Sequence, residues 1–137
     1  MTADKPMVRI AVVGAHLSGM PLNVQLTERE AVLVREAETA PDYEFFALPG
    51  TVPPKPGLLR VDAGKGARIA LELWDMPMVH YGSFVSLVPA PLSIGTLKLN
   101  DGSAVQGFLC EHKATEGALN ISHLGGWRAY LASRPTA

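Results

Sequence analysis

The residues best suited to chemistry lie in one short segment, from Gly14 to Asn23. Gly14 and Gly19 can adopt positive φ angles or allow a ligand close to the backbone, and His16 between them can exchange protons near neutral pH. Pro21 suits the first turn of a helix. Successive backbone N–H groups and a helix start can hold an anion. The segment therefore predicts a carboxylate-binding cradle that contains a proton-transfer group.

An apolar run must position this cradle. Val8 to Val13 is compact, apolar and rich in β-branched residues, which is typical of a strand buried on both faces. We expect this strand to be central in a sheet, with Gly14 ending it. The simplest alternative for the segment that follows is a structural strand-to-helix turn without a ligand.

Nucleotide binding does not fit the glycine spacing. Gly14 and Gly19 have the outer spacing of a phosphate-binding loop, but Met20 and Pro21 stand where that loop needs Lys and Ser or Thr. The dinucleotide fingerprint also fails, because His16 replaces its middle glycine. The pattern favours a small carboxylate ligand.

Two charged residues far along the chain are further candidates. Glu111 ends an apolar run, where strands of α/β proteins deliver catalytic groups, although a surface glutamate is the alternative. Arg128 follows two glycines and a tryptophan and can bind a carboxylate bidentately, or else form a structural ion pair. Cys110 fits a small buried hydrophobe better than a nucleophile. The four histidines lack metal-ligand spacing, so we expect neither a metal nor a cofactor.

Composition limits the partners. The 137 residues are 47% hydrophobic, enough for one core, and we expect residues 1–137 to form a single domain. The net charge of −1, without a basic run, predicts no nucleic-acid or membrane partner. The single cysteine and the lack of a signal peptide or membrane-length apolar run favour the cytoplasm. A small molecule or another protein is the expected partner.

Turn signals and periodicity predict the remaining elements. The 11 prolines and 13 glycines favour a turn-rich α+β domain or small barrel. Residues 22–38 favour one long helix or two short ones, and residues 43–48 a strand. The proline-rich loop that follows, 49–57, is expected to be a stiff connector, with a lid as the alternative. The other predicted elements are a hairpin of 58–61 with 68–74, a helix capped by Asp75 that opens near Pro77, a hairpin of 96–99 with 103–111, and a helical end at 119–131.

Gly14 to Asn23 resembles the opening of the C-terminal domain of allophanate hydrolase. Other landmarks resemble that domain in the same order, so the resemblance covers nearly the whole chain; they are 40–43, 47–50, 89–96, 107–111 and 125–131. The resemblance implies a gamma-glutamylcyclotransferase-like α+β fold, with a small mixed, mostly antiparallel and partly closed β-barrel or sheet and few helices. Cyclotransferase activity is not expected, because residues 87–92 carry no acid where those enzymes have their catalytic glutamate.

The resemblance also implies an activity in urea and allophanate degradation. The domain it resembles breaks down N-carboxycarbamate to carbamate and carbon dioxide, with the loop histidine as acid/base. Carried onto this chain, the catalytic candidates are His16 and Glu111. The candidate substrate-binding residues are Gly14, Ala15, Leu17, Ser18, Gly19, Asn23 and Arg128. We expect an enzyme of the decarboxylase or hydrolase type with no amidase nucleophile of its own.

The resemblance also indicates which partners to expect and which alternative functions remain. The resemblance is to the non-amidase half alone, so we expect the chain to act on a small dicarboxylate beside a separate amidase or allophanate hydrolase subunit, with a homodimer as one arrangement. One alternative is a non-catalytic interaction or oligomerisation module that uses the surface around residues 53–57 and Trp127. Another is a small-carboxylate-binding protein without chemistry.

Overall fold

A computed structural model describes residues 5–134 and contains two β-sheets. The strands are β1 (Met7–Val12), β2 (Val32–Glu38), β3 (Tyr43–Ala47), β4 (Pro56–Arg60), β5 (Ala70–Pro77), β6 (Leu92–Lys98), β7 (Ala104–Cys110) and β8 (Leu119–Asn120). The helices are α1 (Val24–Thr27), α2 (Met78–Val85) and α3 (Trp127–Ser133), with 3-10 turns at His112–Thr115 and Ser122–Leu124. The larger sheet has the order β2-β5-β1-β7-β6, and the smaller β4-β3-β8.

β1 is the central strand of the larger sheet, as its apolar run predicts. It pairs antiparallel with β5 and parallel with β7, and Ile10, Ala11 and Val12 are fully buried. Every other strand pair is antiparallel. Because β1 and β7 run in parallel, their carboxyl ends lie at the same edge of the sheet. That edge carries His16 just after β1 and Glu111 just after β7.

The α+β class is confirmed: the larger sheet is mixed, the smaller sheet is antiparallel, and neither closes into a barrel. The edge strands β2 and β6 approach one another only beyond their ends, where Thr39 forms a single bridge with Leu99. The smaller sheet covers the end of β7 closely. A Cβ placed on Gly57 of β4 would lie 2.7 Å from the sulfur of Cys110. β4 therefore sits against the edge that carries His16.

The helix predicted across residues 22–38 is wrong in its second half. α1 has one turn, after which Glu30 takes a φ of 61° and turns the chain away. Val32 to Glu38 is then an edge strand paired antiparallel with β5. Pairing with a neighbour more than thirty residues away overrode the local helix preference.

The predicted hairpin of 58–61 with 68–74 is also wrong, because β4 pairs with β3 whereas β5 pairs with β1 and β2. Asp75 lies within β5, where it accepts hydrogen bonds from Arg9, and it does not cap α2. The predicted hairpin of β6 and β7 is confirmed. The predicted end helix is shorter than expected, since β8 and a 3-10 turn precede α3.

No helix within residues 5–134 has the length and apolar character needed to cross a membrane.

Candidate functional site

The loop between β1 and α1 is held in one conformation by its own hydrogen bonds. The carbonyl of Gly14 accepts from the N–H of Leu17 at 3.0 Å, and the carbonyl of Ala15 accepts from the N–H of Leu22 at 2.8 Å. The side-chain amide of Asn23 donates to the carbonyl of His16 at 2.8 Å. The predicted cradle residues Leu17 and Asn23 thus use these donors to fix the loop.

His16 is buried among aromatic rings, with 7% of its surface exposed. Its ring centroid lies 5.5 Å from that of Phe84 and 4.9 Å from that of Phe108. Nε2 lies 2.8 Å from Oε1 of Gln25. Because an amide oxygen only accepts, this pairing assigns the hydrogen of the neutral ring to Nε2. Nδ1 has no hydrogen-bond partner within residues 5–134 and is the nitrogen that can take up a proton.

Burial lowers the pKa of His16 below its ordinary value near 6.5. The hydrogen bond with Gln25 opposes this shift, whereas the positive charge of Lys55 adds to it. The ring is therefore neutral at pH 7 in this structure. Proton uptake at Nδ1 needs a negative charge brought next to the ring.

This depressed pKa predicts how stability depends on pH. In the unfolded chain His16 binds a proton near pH 6.5, but in the folded chain only at lower pH. The unfolded state therefore holds more protons over this interval, so the stability is complete above about pH 6.5 and is lost as the pH falls. We expect the free energy of unfolding, from urea titrations between about pH 7.5 and about pH 5, to decline less in His16→Asn than in wild type. Equal slopes would contradict the neutral, buried ring.

A small cavity lies beside His16. Its lining includes Gly14 and Ala15 from the loop. Pro56 of β4 and Lys55, which immediately precedes β4, also line it. The volume is about 10 Å³, room for one water molecule. Ala15 and His16 both line the cavity, and their N–H groups form no hydrogen bond in the described part of the chain, so they are available to a ligand. Lys55, which the sequence analysis did not select, brings a positive charge to this cavity.

The close contact between the loop and β4 predicts a sensitive position. A Cβ on Gly14 would overlap the ring of Pro56, which has little freedom to move. We expect Gly14→Ala to destabilise the protein by about 1–3 kcal/mol, the usual cost of overpacking. Gly82→Ala is the matched control, because a Cβ there meets nothing within 4 Å and the site is helical. Urea titrations that show equal loss for both variants would contradict this contact.

The Ser18 end of the predicted cradle is occupied by a carboxylate of the protein itself. Oε1 of the buried Glu72 accepts from the N–H of Ser18 at 2.8 Å, its hydroxyl at 3.1 Å and Nε1 of Trp74 at 3.1 Å. Arg128 donates from Nη2 to Oε2 of Glu72 at 3.2 Å and to the carbonyl of Ser18 at 2.7 Å. Arg128 thus forms the structural ion pair that its sequence context left open.

Five of the predicted site residues line one of two separate openings. Gly14, Ala15 and His16 line the small cavity, whereas Leu17 and Arg128 line a separate groove of about 580 Å³. Gly19 has a φ of 79°, a backbone conformation that favours glycine. A Cβ at this position would meet no atom within 4 Å, so close packing does not require the glycine. Glu111 is exposed and outside the cavity lining, and its catalytic role remains a prediction. Residues 5–134 contain no group of three or more side chains that could hold a metal.

Sequence reasoning missed three residues that build this region: Gln25, Lys55 and Glu72. Glu72 has a signal in the sequence, because it is the one acid in the otherwise apolar run from Ile69 to Trp74. It shares a face with Trp74, opposite Leu71 and Leu73. Gln25 and Lys55 have no such signal, since their partners depend on how the loop and the smaller sheet fold over β1.

Comparison with known proteins places these observations in a family. The sequence model of the allophanate hydrolase C-terminal domain matches residues 8–132. The chain is 41% identical over 127 residues to urea amidolyase of Saccharomyces cerevisiae, covering 90% of this chain but only 7% of that protein. It resembles the crystal structure of a uropathogenic E. coli-specific protein with a TM-score of 0.85 and 33% identity, over 95% of this chain and 99% of the other.

A more distant likeness concerns the fold alone. A gamma-glutamyl cyclotransferase superposes with a TM-score of 0.55 at 11% identity, over 84% of this chain and 70% of that one. The cyclotransferase-like fold implied by the sequence resemblance is thereby confirmed. The match over residues 8–132, together with the identity to urea amidolyase, shows that the chain belongs to the allophanate hydrolase C-terminal domain family.

Proposed function

We propose that this chain accelerates the breakdown of N-carboxycarbamate, or a closely similar small dicarboxylate, in urea or allophanate degradation. One observation carries the proposal: Nδ1 of a buried, oriented His16 has no partner within residues 5–134, and both His16 and Ala15, whose N–H groups also form no hydrogen bond there, line the small cavity. Family membership supports the substrate class. The rings of Phe84 and Phe108 pack against His16, so an acid/base there acts in a medium of low polarity.

The reaction requires one proton. N-carboxycarbamate is a dianion with two carboxylates on one nitrogen. Its C–N bond breaks with the electron pair going to nitrogen, which gains a proton, so that dianion and proton give carbamate monoanion and carbon dioxide. In this proposal the bound dianion raises the proton affinity of Nδ1, the ring takes up one proton from the bulk solvent, and the imidazolium passes that proton to the nitrogen. Gln25 holds Nε2 throughout, which keeps Nδ1 directed at the ligand.

Relatives of this chain also bear on its partner. The chain spans 7% of the length of the urea amidolyase that it matches, so the relative carries this domain inside a much larger protein. We propose that this chain works beside a separate amidase that supplies N-carboxycarbamate, in the cytoplasm. A protein that retains the cavity but only binds the dicarboxylate is the remaining candidate, since the loop geometry alone would serve binding equally well.

The test measures the protein against the spontaneous reaction. N-carboxycarbamate would be generated in the assay from allophanate by a separate amidase, and carbon dioxide release recorded with and without this chain. Because the substrate decays unaided, the expected result is a rate above the protein-free background that increases in proportion to the amount of chain. No acceleration at any concentration would overturn the catalytic proposal. Binding of malonate without acceleration would support the binding protein instead.

A further inference from the structure

We propose that Lys55 binds the second carboxylate of the ligand and makes the His16 cavity selective for dicarboxylates over monocarboxylates. The inference rests on the proposed function for its substrate, but it concerns a residue outside the loop on which that function depends. It assigns a part in recognition to Lys55, which precedes β4 and lines the cavity.

The position of Lys55 is fixed by its backbone. Its N–H donates to the hydroxyl of Thr51 at 2.8 Å, and its carbonyl accepts from the N–H of Leu48 at 3.1 Å. The residue that follows, Pro56, packs directly against Gly14. Lys55 therefore lies over the small cavity and not in a freely moving part of the loop, and it is one of the residues that line that cavity.

The ammonium group of Lys55 is available for a ligand. It forms no ion pair and no hydrogen bond within residues 5–134. Arg9, Arg128 and Lys113, by contrast, each have a carboxylate within 3.2 Å. A half-buried cation beside a histidine is unfavourable until an anion joins them, and the lowered pKa of His16 is in part a consequence.

Charge balance explains why a dianion suits this arrangement. A ligand with two carboxylates brings two negative charges, which a protonated His16 and Lys55 together compensate. Ala15 and His16 can donate their N–H groups to one carboxylate, while the ammonium of Lys55 holds the other. A monocarboxylate needs only the N–H groups and the histidine. Removing Lys55 should therefore affect a dicarboxylate far more than a monocarboxylate.

The size of the cavity adds a condition on binding. About 10 Å³ holds one water, whereas N-carboxycarbamate has seven non-hydrogen atoms. The cavity as it stands therefore admits only part of the ligand, and the rest of the ligand lies at its rim. Lys55 is part of that rim, and in this proposal its ammonium group reaches the carboxylate that points away from the loop.

The experiment uses malonate as the probe, because it has the two carboxylates of N-carboxycarbamate and a stable CH₂ group in place of NH. Binding is followed through the NMR signals of the His16 ring in wild type, Lys55→Met and Lys55→Arg, with acetate as the monocarboxylate. We expect Lys55→Met to weaken malonate binding about 10- to 100-fold, the range for a hydrogen bond to a charged group. Acetate binding should change less than about threefold, and Lys55→Arg should retain malonate binding.

Lys65→Met is the matched control, since Lys65 is exposed on the turn before β5 and does not line the cavity. A second measurement is the pKa of His16 without ligand, which should rise in Lys55→Met and not in Lys65→Met. Equal malonate affinity in wild type and Lys55→Met, or no malonate binding by wild type, would overturn the proposal. Acceleration of N-carboxycarbamate breakdown that is indifferent to Lys55→Met would reject Lys55 alone. Lys55-dependent malonate binding without any acceleration would reject the catalytic function alone.

Discussion

Replacing His16 by Asn is expected to slow the protein-dependent breakdown of N-carboxycarbamate by about 10²- to 10⁴-fold, the range for loss of a general acid/base. Asn keeps a similar size and a donor that can face Gln25, but it cannot take up and release a proton. The loss should appear in kcat with little change in KM, because the interaction matters in the transition state. Carbon dioxide release, corrected for the protein-free rate, measures the effect.

Two controls make this result specific to His16. Malonate binding should persist in His16→Asn within about tenfold, because the N–H groups of the loop and Lys55 remain. His80→Asn should leave the rate unchanged, since His80 is on α2 and pairs with the exposed Glu30. A fully active His16→Asn variant would refute the role assigned to this ring while leaving the activity itself in place.

The second large effect concerns stability and involves Glu72. Glu72→Ala removes the acceptor for the N–H of Ser18 and for Nε1 of Trp74, and the ion-pair partner of Arg128. A buried donor left without an acceptor costs about 1–3 kcal/mol, so we expect a loss of about 2–4 kcal/mol in the free energy of unfolding. Urea titration provides the measurement.

Glu36→Ala is the matched control for Glu72. Glu36 lies directly opposite Glu72 in the register of β2 and β5, but it is exposed. Its replacement should change stability by less than about 0.5 kcal/mol. Similar losses in the two variants would mean that strand pairing, and not the buried carboxylate, accounts for the effect.

Local signals predicted the parts of the fold that depend on local structure. The β-branched run ending at Gly14 identified the central strand, and Asn100-Asp101-Gly102 identified the hairpin of β6 and β7. β2 was missed because its partner in the sheet begins only at Ala70, and no periodicity within residues 22–38 reveals that pairing. The sequence therefore indicated the central strand β1 of the larger sheet but not its edge strand β2.

The candidate site shows the same division. His16 was found because its glycine neighbours and the preceding strand are adjacent in sequence. The contact of Ser18 with Glu72 joins residues 54 positions apart, and Lys55 reaches the cavity from the segment just before β4. The cradle predicted as one anion site consequently became two, one filled by Glu72 and one open beside His16. Only the packing of distant segments decides which N–H groups remain available to a ligand.

The close fit of Gly57 over Cys110 offers a chemical reporter of how often the cavity opens. The thiol is buried, its pKa is raised by burial, and β4 covers it immediately after Pro56, which packs against Gly14. Only 7% of Cys110 is exposed, so a thiol-specific reagent reacts mainly while β4 is lifted and the alkylation rate follows the population of that open form. Malonate bound between the loop and Lys55 would hold the two sheets together, and it should then slow alkylation in proportion to site occupancy.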